Sequence, residues 1–165
     1  METPALFDPE AETRSLEDQR LKDEPVYRKQ VEYLFAHSEF YREKLAEAGF
    51  KTPESVGGLD DLHHLPFTVK DDLRASQAEH LPLGKQLAAP LEDIVRIYST
   101  SGTSGSPLYI PVTLGDLKRW IHTSNRSYYA AGIRPHHRVV TTYNSGPFAA
   151  GAVHESMIAL GVRMV

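Results

Sequence analysis

The sequence predicts an α/β protein whose first half is helical and whose second half begins a sheet. Three observations carry that prediction. From Pro25 to Gly49 apolar residues recur at helical spacing, with Val31, Leu34 and Phe35 three and four positions apart. After Pro90 the period shortens to that of strands, in the β-branched and aromatic runs Ile94–Tyr98 and Leu108–Val112. Strand and helix patterns then alternate through to Val165, as in β-α-β units.

In chain order, residues 1–24 read as an acidic mobile arm, or one ordered only by docking. They hold eight acidic and three basic side chains, and such a leader buries little apolar area. Residues 25–90 form a helical segment. Pro25 suits a first helical turn, Ser38 is a candidate N-cap that separates two short helices, and Gly49 is the left-handed stop of the second. Leu59 to Phe67 reads as a short helix halted at Pro66, and Thr68–Leu73 starts another. Residues 91–165 begin an α/β domain. Its two first strands flank the run Ser99–Pro107, and Thr113 with Asp116 makes a capping box for a helix that ends near Gly132. Arg138–Tyr143 follows as a strand, then a helix from about Ala149 to Leu160, then Val162–Val165 as the next strand. A sheet that ends on such a strand lacks neighbours, so the domain is expected to be truncated, with association into homo-oligomers through the exposed strand edge.

Composition narrows the classes. The 165 residues are 41% hydrophobic and 24% charged, as in globular proteins, with a net charge of −4 that gives no reason to expect nucleic acid as a partner. No apolar run approaches the ~20 residues of a membrane span, so no membrane partner is expected. The lack of cysteine removes disulfides and thiolate chemistry, and a cytoplasmic setting is the default expectation.

The run Ser99-Thr100-Ser101-Gly102-Thr103-Ser104-Gly105-Ser106-Pro107 carries the chemistry. Glycines let several backbone N–H groups converge, and hydroxyls add donors of adjustable direction, which suits a polyphosphate. By composition alone a flexible Ser/Gly linker is an equal reading. Its place between two strand runs favours a hairpin loop within one domain. Neither a Walker A loop nor a dinucleotide fingerprint fits, because the glycines stand at 102 and 105 and no lysine follows.

The spacing Ser101-Gly102-Thr103-Ser104-Gly105-Ser106-Pro107 resembles the S-G-T-T-G-x-P signature of the adenylate-forming superfamily. Around it, Phe40–Gly49, Leu65–Arg74, Val95–Ile97, Thr113, Asp116, Arg126–Pro135 and Tyr143–Gly151 are similar, in order and spacing, to phenylacetate-CoA ligases. The resemblance covers nearly all of this chain and about the first third of such an enzyme. It implies part of the large N-terminal α/β domain of adenylate-forming enzymes, with a helical segment ahead of it. It also implies an ATP-dependent carboxylate:CoA ligase that takes a small-molecule carboxylate, ATP, Mg2+ and CoA. Thr100, Ser101, Gly102, Thr103, Ser104, Gly105 and Ser106 would hold the nucleotide phosphates. Tyr143, Phe148 and Gly151 would border the acyl pocket. The family's acidic ribose-contacting residue and its catalytic lysine have no counterpart in this chain, and Ser106 stands where the family usually has lysine. The alternative is an inactive fragment acting as a phosphate-binding or protein-interaction remnant.

Other constellations read as surface or core. His63-His64 and His136-His137 are adjacent pairs that do not converge on one ion, and His154-Glu155 begins an H-E-x-x-H pattern that fails at Ile158, so no metal site is expected. Lys70-Asp71-Asp72 and Lys118-Arg119 read as solvated faces, and Trp120 as core.

Overall fold

The computed structural model describes residues 5–100, 106–142 and 150–165. Its contacts form two units, one of Ser15–Leu91 and one that gathers the N-terminal residues through Arg14 with Glu92–Val165.

In the Ser15–Leu91 unit the first helix starts earlier than the apolar spacing predicts. A short helix, α1 (Pro9–Glu12), belongs to the other unit; α2 runs Leu16–His37, so Pro25 lies inside it and the expected 24/25 boundary falls within a helix. Ser15 caps α2 by accepting from Asp18 N–H at 3.0 Å, and Glu17 and Asp18 place negative charge where the helix dipole favours it. An interior proline removes one helical hydrogen bond at a cost of about 3 kcal/mol. Two long-range contacts just before Pro25, and one i,i+4 pair that spans it, hold this part of the helix. Glu24 accepts from Leu59 N–H at 3.0 Å and pairs with Arg28 at 2.6 Å, and Arg20 pairs with Asp60. Acidic side chains that read as a solvated leader thus have partners.

Ser38 separates α2 from α3 (Glu39–Glu47), and Gly49 follows at φ 96°, both as the sequence predicts. Leu59–His64 is a 3-10 helix rather than an α-helix, and so is Pro53–Val56. Helix α4 (Lys70–Glu79) is tied to α3 by Lys44 Nζ and Asp72 Oδ2 at 2.6 Å.

In the other unit β1 (Ile94–Ser99) and β2 (Tyr109–Thr113) form an antiparallel hairpin, with Ile97 opposite Pro111 and Tyr98 opposite Ile110. Helix α5 (Leu114–Ala130) begins at the predicted capping box. Thr113 Oγ1 accepts from Asp116 N–H at 3.2 Å and Asp116 Oδ2 accepts from Thr113 N–H at 3.3 Å. Thr113→Ala should therefore cost about 0.5–2 kcal/mol in urea unfolding. The Thr113 hydroxyl, and after it the Arg119 guanidinium, holds the Asp116 carboxyl below the usual carboxylate range. A depressed value in the folded state means stability that is present above the unfolded carboxylate range and is lost as pH falls through the folded value. Asp116→Asn should remove that acid-sensitive component from a pH series of unfolding curves.

Strands β3 (Arg138–Val139) and β4 (Arg163–Met164) pair in parallel around α6 (Ala150–Leu160), a β-α-β arrangement. The strand expected over residues 138–143 is only two residues long, and Val140 is exposed. Backbone bonds extend the pairing, since Thr141 N–H donates to Val165 O and Val165 N–H to Val139 O.

Two apolar clusters hold this unit. Tyr98, Val112, Leu117 and Ala152 form one, against which Ile110, Trp120 and Ile121 pack, so Trp120 is core as expected. Tyr129, Met157, Leu160 and Val162 form the second, and Phe7 packs on it. The Phe7 ring lies 5.8 Å from Tyr129 and 5.5 Å from His122, so one apolar residue of the acidic leader is seated on α5. Among the described residues no helix is long and apolar enough to cross a membrane.

Candidate functional site

The hairpin β1–β2 presents the Ser/Thr/Gly loop, and its base is closed by one residue pair. Thr100 N–H donates to Leu108 O at 3.0 Å, and Leu108 N–H donates to Thr100 Oγ1 at 3.1 Å. The Thr100 hydroxyl oxygen thus takes part in closing the base of the loop. Ser106, at the other end, is exposed. Ser101, Gly102, Thr103, Ser104 and Gly105 lie outside the described residues, and so do Tyr143 and Phe148. Gly151 is buried in the first turn of α6.

The described flanks of the two candidate segments belong to one core. Ala152, next to Gly151, is 1% exposed and packs in the same cluster as Tyr98, which lies two residues before Thr100. The strand that enters the loop thus rests on the helix that follows the Tyr143–Gly151 segment.

Charge at the loop is set by what surrounds it. Between Arg96 and Asp116 the sequence carries no charged side chain, so the loop offers neutral N–H and O–H donors. Arg96, the nearest preceding cation in sequence, is engaged: its Nε donates to Glu155 Oε1 at 2.9 Å, and that bond raises the guanidinium's pKa. The Tyr98 hydroxyl is buried beside the Glu155 carboxylate. Burial pushes its pKa up, and the Glu155 charge adds to the shift. Sequence reading misses this Arg96–Glu155 contact, because 59 residues separate the partners and no local spacing marks it. A neutral donor set fits a polyphosphate through hydrogen bonds alone. Among the described residues no group of three His, Asp or Glu side chains could hold a metal ion. His154, which opens the failed H-E-x-x-H pattern, is half-buried with Nε2 unpaired.

Comparison with known proteins adds to this geometry. No family profile matches the chain. It is 37% identical over 161 residues to the phenylacetate-coenzyme A ligase of Thermus thermophilus, covering 97% of this chain and 35% of that protein. The Pseudomonas putida phenylacetate-coenzyme A ligase is 33% identical over 162 residues, covering 98% and 35%. The chain belongs to the phenylacetate-CoA ligase family. It spans about a third of the length of the curated relatives it matches. Solved structures agree. An open conformation of 2-hydroxyisobutyryl-CoA ligase in complex with 2-HIB-AMP and CoA superposes with a TM-score of 0.87 at 25% identity, covering 98% of this chain and 37% of that one. The same ligase in its thioesterification state gives 0.82 at 28% identity, covering 98% and 34%. The mixed helix and strand of this phenylacetate-CoA ligase relative is accordingly part of an α/β domain.

Proposed function

We infer that this chain is the N-terminal part of an ATP-dependent acid-CoA ligase, and that the hairpin loop Thr100–Ser106 holds the nucleotide's phosphates. The observation that carries the reading is the loop itself. It is glycine-rich, hydroxyl-rich and free of charge, it is pinned at its base by Thr100 and Leu108, and it lies in a chain 37% identical to a phenylacetate-CoA ligase.

In this reading a carboxylate oxygen attacks the α-phosphorus of ATP and pyrophosphate leaves. The CoA thiol then attacks the acyl-adenylate carbonyl and AMP leaves. Loop donors act on the first step by stabilising the charge that collects on departing pyrophosphate. Tyr143, Phe148 and Gly151 would border the carboxylate's organic part, with the family's name and the two aromatic residues favouring an aryl acid. With ATP and CoA as substrates the setting is cytoplasmic. The ribose-contacting acid and the catalytic lysine of the family have no counterpart in these 165 residues, so the isolated chain is expected to bind nucleotide without turnover. A second reading, a phosphate-binding or protein-interaction remnant, is favoured by one observation: Ser106 leaves the loop without a cation.

Isotope exchange between pyrophosphate and ATP tests the choice, using the whole ligase of which this chain would be the N-terminal part, with a panel of aryl and short-chain acids. Acid-dependent exchange is expected. Exchange with none of them, together with no ATP binding, would overturn the ligase reading.

A further inference from the structure

The face of β1 that carries Tyr98 also carries Arg96, because residues two apart in a strand share a side. The face of α6 that carries Ala152 also carries Glu155, because residues three apart in a helix are neighbours. Tyr98 and Ala152 belong to one apolar cluster, and Arg96 and Glu155 meet, with Nε 2.9 Å from Oε1. The arginine is further fixed by Nη1, which donates to Val95 O at 3.0 Å. One contact patch therefore joins the strand that feeds Thr100 to the helix turn that holds Gly151. Its apolar half sets how closely the two elements approach. Its charged half adds a directional contact, which apolar packing does not supply.

We propose that Arg96 and Glu155 are a positioning pair that couples the phosphate-loop hairpin to the first turn of α6, so that an anion held at the loop is sensed at Gly151 and Ala152. This rests on the phosphate-loop reading above and deepens it: the pair would align the nucleotide end of the site with its acyl end. Arg96 is 55% exposed, so the pair is expected to add little to stability. The effect belongs in the coupling between the two ends, which by linkage is reciprocal.

Amide spectra of the 15N-labelled 165-residue chain, titrated with inorganic pyrophosphate, provide the test. In the wild type the expected shifts appear at Thr100 and Ser106 and, in step with them, at Gly151 and Ala152. Arg96→Gln and Glu155→Gln should each keep the melting temperature and the shifts at Thr100 and Ser106 but lose those at Gly151 and Ala152. The double exchange Arg96→Glu with Glu155→Arg should restore them, a rescue that loss of bulk packing would not give. Unchanged responses at Gly151 and Ala152 in both single variants would overturn the coupling while leaving the phosphate loop standing. So would a wild type that responds at Thr100 and Ser106 alone. Silence at all four positions in the wild type would overturn the phosphate-loop reading and this inference with it. Should Arg96→Gln melt early, Arg96→Lys keeps the charge without Nε and is expected to lose the coupled shifts at an unchanged melting temperature.

Discussion

Replacing Tyr98 with alanine is expected to lower the stability of the unit that contains it by about 3–5 kcal/mol, the cost of deleting a fully packed aromatic ring. Tyr98 is 3% exposed and stands at the centre of the cluster with Val112, Leu117 and Ala152, its ring edge-on to Trp120 at 5.4 Å. Removing it takes away the surface on which hairpin, α5 and α6 meet, so the loop's support should loosen along with the fold. Tyr98→Phe separates ring from hydroxyl. Because the hydroxyl is buried with only Glu155 beside it, its deletion should change stability by no more than about 1 kcal/mol. Chemical unfolding followed by circular dichroism reads both variants. A Phe variant as unstable as the Ala variant would mean that the phenol, not the ring, holds the cluster.

The second large effect concerns charge at the loop. Ser106 is exposed at the end of a loop whose neighbours from Ile97 to Gly115 are all uncharged. Ser106→Lys places an ammonium where the family usually has one, and the gain in ATP binding should be about 1–3 kcal/mol, the scale of a charged hydrogen bond. Calorimetric titration should show tighter binding at low salt and a gain that shrinks as salt rises, since an exposed cation is screened. Stability should be unaffected, because the side chain is exposed to solvent rather than packed in a core. An affinity unchanged at low salt would place the phosphates away from Ser106.

Which parts of this are legible in the sequence follows from where their causes lie. The break at Ser38, the left-handed Gly49, the capping box at Thr113 and Asp116 and the helix end at Gly132 are local, each specified within four residues, and each stands where the sequence predicts it. Apolar spacing alone places the start of α2 too late, whereas the Ser15 cap and the pairing of Arg20 and Glu24 with residues near position 60 stabilise an earlier start. The length of β3 depends on partner strands and not on its own β-branched residues, so Arg138–Tyr143 reads longer than it is. At the site, the loop's residue types and spacing are sufficient to suggest phosphate. The closure of its base by Thr100 and Leu108 requires the hairpin register, and the Arg96–Glu155 contact requires the packing of α6 on β1.

The proposed role of the Thr100–Ser106 loop is to receive the phosphates of ATP. Its most direct measurement is a site-resolved amide titration of the chain with ATP and, separately, with AMP. ATP should shift the amides from Thr100 to Ser106 in a saturable way, and AMP, which lacks the β- and γ-phosphates, should shift them far less. Equal responses to the two nucleotides, or ATP-dependent shifts confined to residues outside the loop, would contradict it.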